Sequence, residues 1–145
     1  MRISAKAEYA CLAMLELAAS YRSPHPSRIK AIADAHSMPQ RFLVQILLNL
    51  KTAGLVTSVR GAAGGYQLTR PPENITLAQV IGAIDEPPSR TDYALAKLNV
   101  PTAASETLLR VWNEVQAEER RLLDSLTLAE LLRRSARSDA LLYQI

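Results

Sequence analysis

The apolar residues of the first fifty positions repeat with the period of an α-helix. In segment 4–21 they recur every three or four residues, at Ala7, Cys11, Met14, Leu15 and Ala18. We predict that Ser4 caps this helix and that the two prolines of residues 23–27 end it. Ser27 is then expected to cap a second, short helix over residues 28–35, with its inward positions at Ile29, Ile32 and Ala33.

A third helix is predicted after Pro39, because the fixed φ of proline suits the first helical turn. Its apolar positions are Phe42, Leu43, Ile46, Leu47 and Leu50, and Gly54 follows as a C-terminal stop. Two helices of about eight and fifteen residues, joined by about three, match the helix-turn-helix in length and spacing. Many helical hairpins with this spacing are only structural, so the pattern alone leaves both interpretations open.

The period changes to that of a β-strand after this helix. Residues 55–59 are rich in β-branched side chains, residues 60–65 form a glycine-rich turn, and residues 66–68 make a short return strand. A β-hairpin directly after a helix-turn-helix is the order of a winged helix, with the loop as the wing. A glycine-rich loop can also cradle a nucleotide phosphate, but this one precedes a strand rather than a helix, which favours the wing.

The second half of the chain is predicted to be helical. A capping box at residues 76–79 opens a fourth helix, which ends near residues 85–88. A long helix is predicted over about residues 103–124, and its apolar positions follow a heptad pattern at Leu108, Trp112, Val115, Leu122 and Leu126. A last short helix opens at a second capping box, residues 127–130, and ends near residue 137.

The predicted fold class is therefore mainly α, a winged helix-turn-helix domain followed by a long C-terminal helix. We divide the chain into a winged-helix domain (1–86), a linker (87–104), a pair of C-terminal helices (105–137) and a tail (138–145). With 145 residues, of which 48% are hydrophobic and 21% charged, the chain is long and apolar enough for one modest core. This composition excludes a disordered chain.

Composition excludes several classes of function as well. The single cysteine, Cys11, excludes an intramolecular disulfide and a cysteine-based zinc or iron–sulfur site within one chain, and we expect a small buried thiol rather than a reactive one. His25 and His36 have no ligand cluster around them, so no metal site is predicted. No catalytic motif or nucleophile–base pair indicates an enzyme. Because neither a signal peptide nor an apolar run of about 18 residues is found, we expect a cytoplasmic protein without membrane contact.

Charge is distributed unevenly along the chain. Residues 1–72 carry nine Lys or Arg against three acids, a net charge of +6, whereas residues 73–145 carry eight against eleven, a net charge of −3. A basic first half is typical of a domain that binds a polyanion, although scattered surface charge would look similar. On the third helix, Gln40, Arg41 and Gln45 have the side chains that read base edges. Arg60 of the wing can enter the minor groove.

Several motifs resemble those of a known family. They are the opening S-x-K-x-E-Y-A, the segment P-Q-R-F-L-x-Q-I-L, and above all L-K-x-A-G-L-V-x-S-x-R-G-x-x-G-G-Y-x-L over residues 50–68. Residues 1–90 and 105–133 thereby resemble the winged-helix transcription regulators that include IscR, NsrR and CymR. The resemblance implies a homodimeric repressor that binds palindromic operator DNA, with the long helices of the two subunits packed together.

Charge and resemblance together give the predicted contacts of individual residues. DNA contacts are expected from the start of the chain, the second and third helices and the wing: Ser4, Lys6, Tyr9, Arg28, Gln40, Arg41, Gln45, Lys51, Arg60, Gly61, Gly64, Gly65 and Tyr66. Dimer contacts are expected from the heptad positions: Leu108, Trp112, Val115, Leu122 and Leu126.

The linker departs from the pattern of the cluster-binding members, which carry three cysteines there. Residues 87–104 contain no cysteine, and Tyr93, Asn99 and Ala104 or Ser105 stand near the expected spacings. Glu8 lies where some members recruit an acidic ligand, but one carboxylate cannot hold a cluster. We therefore predict no cofactor, and activity set by a partner protein, a small molecule or thiol chemistry. Two other classes stay open: a winged helix used for protein contact, and a metal or cluster sensor with unusual ligands.

Overall fold

The computed structural model describes residues 2–89 and 92–143, the last three by their backbone alone. Parts of the predicted linker (90 and 91) and of the predicted tail (144 and 145) lie outside the described residues. Within these residues the chain forms the following helices and strands: α1 (Ala5–Ala19), α2 (Ile29–Ala35), α3 (Gln40–Thr52), β1 (Val56–Val59), β2 (Gly65–Leu68), α4 (Leu77–Ile84), α5 (Ala103–Ser125) and α6 (Leu128–Tyr143). Short 3-10 turns occupy Pro72–Asn74 and Ala94–Lys97.

The prediction of a mainly α winged-helix fold is confirmed. β1 and β2 form an antiparallel hairpin directly after α3, in a register that pairs Val56 with Leu68 and Val59 with Gly65. The heptad-bearing helix α5 spans 23 residues, within one residue of its predicted end. No helix of the described part of the chain has the length and apolar character needed to cross a membrane.

Local capping signals fix several helix starts. The Ser4 hydroxyl accepts a hydrogen bond from the Ala7 N–H, and the predicted reciprocal box of Thr76 and Gln79 is present at the start of α4. The prediction that Ser27 caps α2 is wrong, because Arg28 occupies the N-cap position and gives no side-chain cap. Ser27 instead pairs with Tyr66 of β2 through two backbone hydrogen bonds of 2.9 and 2.7 Å. The wing strand therefore competes for the residue that would otherwise begin the helix.

The core lies between α1 and α3. Four apolar side chains of α3 are fully buried, and α1 faces them with small alanines and two large residues: Leu43, Ile46, Leu47 and Leu50 from α3, and Ala10, Ala13, Met14 and Leu17 from α1. Each large side chain contributes roughly 1.5–3 kcal/mol by leaving water. Cys11 and Leu15 lie only half-buried at the edge of this core. Burial is thus shifted around α1 from the predicted stripe.

The C-terminal helix returns to this core. The Leu77 N–H donates to the Leu126 carbonyl at 2.8 Å, the Leu128 N–H donates to the Ile75 carbonyl at 3.0 Å, and Leu128 is fully buried. α6 extends to Tyr143, beyond the predicted end near residue 137, because its sequence contains neither glycine nor proline. The first turn of α6 therefore stabilises the winged-helix domain rather than forming a separate unit with α5.

Candidate nucleic-acid interface

The turn between α2 and α3 sets the direction of the candidate recognition helix. Ser37 adopts a left-handed backbone conformation, with φ of 53°, and the next residue, Met38, is buried. The Met38 N–H donates to the Ala33 carbonyl at 2.8 Å, which closes the turn. The His36 ring lies 2.9 Å from the Glu16 carboxylate and thus joins the turn to α1. α3 is held in place on one side by this turn and on the other by the core.

The outer face of α3 is exposed and polar at its start. Gln40 is the first residue of the helix, and the side chains of Gln40, Arg41 and Gln45 all point away from the core into solvent. The N-cap residue, Pro39, supplies no side-chain cap, so the N–H groups of the first turn remain available to an external acceptor. This end of α3 offers donors for base edges and an electrostatically favourable position for a phosphate.

A hydrogen-bonded cluster joins α1 to the same face. The Lys6 ammonium donates to Asn49 Oδ1 at 3.1 Å, and Gln45 Nε2 lies 3.4 Å from the same oxygen. Lys6 is therefore part of the α3 surface although it lies 43 residues earlier in the chain. This arrangement brings together two of the predicted DNA contacts.

The wing is fastened to the helix-turn-helix by its backbone. A Cβ atom on Gly65 would collide with the Ser27 carbonyl oxygen, so only glycine permits the pairing of the wing strand with the segment before α2. The Arg28 guanidinium donates to the carbonyl of Ala62 in the wing loop. At the other edge, the Lys51 ammonium donates to the Ser58 hydroxyl at 2.7 Å. Arg28 and Lys51 thus bind the hairpin through one hydrogen bond each, and their other N–H donors are located at the base of the hairpin.

The wing loop itself is open to solvent. Arg60, Gly61, Ala62 and Ala63 are exposed, and Gly61 has a φ of 109° that favours glycine. Gly64 and the predicted DNA contact Tyr66 are half-buried in the hairpin, where they shape the loop more than they extend from it. The side chain best placed to leave the wing toward a ligand is that of Arg60.

Two predicted DNA contacts are engaged within the fold. The Ser4 hydroxyl donates to Asp85 Oδ1 at 2.6 Å, and its backbone N–H donates to Oδ2 at 3.0 Å. The Tyr9 ring packs edge-on against Phe42, with centroids 5.5 Å apart. Both residues hold α1 against its neighbours, and their contact with DNA stays a prediction.

Four of the five predicted heptad positions form a separate exposed surface on α5, which we call the α5 stripe: Leu108, Trp112, Val115 and Leu122. The fifth, Leu126, is the C-cap residue of α5 and is half-buried. Leu108, Val115 and Leu122 are 44%, 49% and 60% exposed. The neighbouring stripe faces inward, since Leu109 is buried and Leu123 half-buried. α5 thus carries two apolar faces, of which the described part of the chain covers only one.

The family profile described as Rrf2, iron-dependent transcriptional regulator, matches residues 3–134. The chain belongs to the Rrf2 family. A Mycobacterium tuberculosis protein named as an HTH-type transcriptional regulator is 43% identical to this Rrf2 chain over 134 residues, covering 90% of this chain and 81% of the other. CymR of Bacillus subtilis is 31% identical over 131 residues, covering 90% and 89%.

Solved Rrf2 structures agree. The structure of B. subtilis CymR, titled the global cysteine regulator, superposes with a TM-score of 0.75 at 30% identity and covers 90% of this chain and 95% of that one. The structure of T. potens IscR superposes with a TM-score of 0.75 at 31% identity, and the match covers 93% of this chain and 88% of that one. The expected likeness to IscR and CymR is confirmed, and the chain is a DNA-binding transcriptional regulator rather than an enzyme.

The Rrf2 description names iron, and the residues of this chain do not fit a cysteine-ligated cluster. The chain has one cysteine, whereas such clusters use four ligands. Burial, then the charges of Glu8 and Asp85, raise the pKa of Cys11 to about 11, which disfavours the thiolate that metal binding needs. Among residues 2–89 and 92–143, no three His, Cys, Asp or Glu side chains are grouped to hold a metal ion.

Sequence reasoning missed Asp85 and the wing-docking role of Ser27. Asp85 lies at the C-terminal end of α4 and binds Ser4, 81 residues away. A carboxylate shortly before two prolines resembles any helix end, so the sequence carried no signal for this contact. The sequence does place Asn49 on the polar face of α3, one turn beyond Gln45. Its hydrogen bond with Lys6 could not be predicted from the sequence.

Proposed function

We propose that this Rrf2 chain is a homodimeric repressor that binds a palindromic operator without a cluster. The observation that carries the proposal is the exposed start of α3, with Gln40 and Arg41 free to reach bases beside a wing that projects Arg60. α3 would enter the major groove and the wing the flanking minor groove. Arg and Gln side chains pair bidentately with guanine and adenine, respectively.

Basic residues and glycines around the start of α3 and the wing would bind DNA phosphates. Lys6, Arg28 and Lys51 each lie at an edge of α3 or the wing and are anchored by one hydrogen bond, which leaves further N–H donors for a phosphate. Gly61, Gly64 and Gly65 would let the wing backbone approach the DNA closely. The net charge of +6 on residues 1–72 supports this role, because non-specific DNA affinity comes from neutralised phosphates.

The α5 stripe would form the dimer interface. Large apolar residues at heptad spacing, left exposed by their own chain, are typical of a helix that pairs with another copy. Two-fold symmetry would place two α3 helices in successive major grooves about 34–36 Å apart, which matches a palindromic operator. We propose the cytoplasm as the site of action, since genomic DNA is bound there in bacteria such as those of the relatives.

Operator binding by matched variants tests the proposal. Genome-wide capture of DNA by the purified protein would supply the operator, and fluorescence anisotropy would give affinities at two salt concentrations. We expect Gln40→Ala and Arg60→Ala to weaken specific binding by about 1–3 kcal/mol each. Lys51→Ala should instead reduce by about 1 the steepness with which the logarithm of the binding constant falls with the logarithm of the salt concentration.

The control variant is Arg110→Ala, which removes an exposed arginine from α5 and should leave affinity unchanged. Unaltered operator binding by both Gln40→Ala and Arg60→Ala would show that the start of α3 and the wing do not contact the operator. Capture of no DNA at low salt would instead favour a winged helix used for protein contact. A metal-free, colourless protein after anaerobic purification is expected, and bound iron would contradict the cluster-free proposal.

A further inference from the structure

A cavity of about 980 Å³ opens between α4, the segment that follows it, and α5. Its walls are mostly apolar and include Ile81, Pro88, Trp112, Val115 and Leu123. Both its size and its lining are those of sites that hold small organic ligands. Trp112 and Val115 also belong to the α5 stripe, so the cavity lies at the edge of the proposed dimer interface.

The charged groups of this cavity are unbalanced toward acid. Besides Glu119, which has an interaction partner of its own, its described lining contains three carboxylates and two guanidinium groups: Asp85, Glu86, Asp92, Arg2 and Arg120. Arg120 Nε already lies 3.2 Å from both carboxylate oxygens of Asp124, outside the cavity lining. The remaining charge favours a cationic ligand over an anionic one.

Asp85 is the best placed of these carboxylates. It is half-buried at the end of α4, and the two hydrogen bonds that it accepts from Ser4 come from a neutral N–H and a neutral hydroxyl. Its negative charge is therefore solvated by dipoles and not cancelled by them. The same charge contributes to the raised pKa of the nearby Cys11 thiol.

Two aromatic side chains stand beside the carboxylates. Tyr93 and Trp112 both line the cavity, and the Tyr93 hydroxyl donates to the Trp112 carbonyl at 3.4 Å. Aromatic faces next to carboxylates are the surroundings in which proteins bind ammonium groups. The apolar remainder of the lining would cover a hydrocarbon or aromatic body.

We infer that this cavity is an effector site for an organic cation with an apolar body, held by Asp85 and Glu86 and packed against Tyr93 and Trp112. The effector role rests on the proposed operator binding. Asp85 holds Ser4, the N-cap residue of α1, and Lys6 in the first turn of α1 donates to Asn49 of α3. A cation that draws Asp85 away from Ser4 loosens this connection and lowers operator affinity. By linkage, operator DNA lowers the affinity for the cation by the same factor.

The single tryptophan makes the site directly measurable. Trp112 is the only Trp of the chain, so its fluorescence reports the cavity without labelling or DNA. Benzyltrimethylammonium serves as the probe, with benzoate as an anion of similar shape. We expect a saturable fluorescence change with the cation and none with benzoate. Equal responses to both, or no saturable response to the cation, would overturn the inference.

Matched variants locate the binding. Asp85→Asn keeps the size of the side chain and an oxygen acceptor for Ser4. It should lower the affinity for the cation by about tenfold or more, equivalent to about 1.4 kcal/mol of binding free energy. Asp34→Asn removes an exposed carboxylate from α2 and should change nothing. If Asp85→Asn fails to fold by circular dichroism, Glu86→Gln at the exposed rim replaces it, with a smaller loss expected. Unchanged cation binding in the folded variant would reject these carboxylates as the anchor.

A second measurement tests the effector role separately. Operator affinity is measured by anisotropy with and without saturating benzyltrimethylammonium, and the expected loss lies in the range of 5- to 150-fold typical of allosteric coupling. An unchanged operator affinity would overturn the effector role. Absence of operator binding without the probe would instead reject the proposed function, while the fluorescence result still decides the cavity.

Discussion

Helices α3 and α5 are both amphipathic, yet they differ in what covers their apolar faces. In α3, Leu43, Ile46 and Leu47 are completely buried by the same chain, whereas in α5 Leu122 is 60% and Val115 is 49% exposed. The heptad pattern of α5 is as regular as the pattern of α3. Periodicity therefore identifies an apolar face, but only the structure shows whether the chain itself covers that face.

The two regions also differ in charge, and this separates their proposed partners. The half that contains α3 has a net charge of +6 and exposes polar side chains, which suits a polyanion. The half that contains α5 has a net charge of −3 and exposes large apolar side chains at heptad spacing, which suits a second copy of the chain. Changes confined to one region should therefore have separable effects.

The largest effect is expected from a charge placed in the α5 stripe. Leu122→Asp removes an apolar contact from both subunits of a symmetric interface, at a cost of roughly 3–6 kcal/mol of dimerisation free energy, given roughly 1.5–3 kcal/mol for each leucine. Sedimentation velocity at micromolar concentration should show monomers, and operator affinity should fall with dimer loss. The fold should persist, because Leu122 is exposed within its own chain.

Thr107→Asp provides the matched control, since it adds the same charge on α5 at an exposed position outside the heptad stripe. It should leave the dimer intact. A wild-type protein that sediments as a monomer, or a Leu122→Asp variant that stays dimeric, would show that the exposed stripe has another use.

A substitution in the wing, next to α3, should affect stability rather than dimerisation. In Gly65→Ala the new methyl group collides with the Ser27 carbonyl, so the wing must separate from the segment before α2. We expect a loss of about 1–3 kcal/mol in the free energy of unfolding, measured by urea denaturation. Operator binding should weaken while the dimer is retained, whereas Leu122→Asp should weaken operator binding through loss of the dimer.

Gly82→Ala is the control for this substitution. A Cβ at Gly82 meets nothing within 4 Å, and the residue lies inside α4, so alanine should stabilise the protein by roughly 0.5–1 kcal/mol. If the two variants were equally stable, the tight docking of the wing on Ser27 would be refuted.

Features encoded by neighbouring residues were predictable from the sequence. The capping box of Thr76 and Gln79 requires only a spacing of three, and both of its hydrogen bonds are present. The wing hairpin follows from β-branched residues on either side of a glycine-rich turn, and its strands begin and end within one residue of the prediction. The exposed polar face at the start of α3 followed from helical periodicity in the same way.

Features that depend on distant partners were not predictable. Ser27 has the ideal side chain for an N-cap, yet β2 recruits its backbone, because a bridge to Tyr66 satisfies two polar groups instead of one. The bond between Ser4 and Asp85 spans 81 residues. The burial of Leu128 likewise depends on the return of α6 to the core. No local pattern specifies these contacts, which position the candidate DNA interface and the cavity.

Cys11 of α1 lies near Asp85 at the end of α4, and the reactivity of its thiol tests the packing of these two helices. Its raised pKa of about 11, against an ordinary 9.0, means about a hundredfold less thiolate at pH 8 than in the unfolded chain. Iodoacetamide should therefore alkylate the native protein about a hundredfold more slowly than the urea-unfolded protein. The native rate should rise with pH up to about 11.

The same shift affects stability at high pH. Because the folded pKa lies above the unfolded value, the contribution of Cys11 is complete below pH 9 and is lost as the pH rises toward 11. Cys11→Ala should remove this dependence. Native alkylation as fast as in urea would mean that α1 does not pack against the end of α4 as described.

The smallest expected effect lies in the turn before α3. Ser37 has a φ of 53°, a conformation that costs a residue with a Cβ roughly 1 kcal/mol more than glycine. Ser37→Gly removes this strain but adds entropy to the unfolded chain, so we expect a net stabilisation of at most about 0.5 kcal/mol by urea denaturation. Ser23→Gly, at an exposed position in the loop before α2, is the control and should not stabilise. A clear loss of stability in Ser37→Gly would mean that the serine makes a contact that fixes the angle between α2 and α3, and the recognition helix would then depend on its turn as much as on its core.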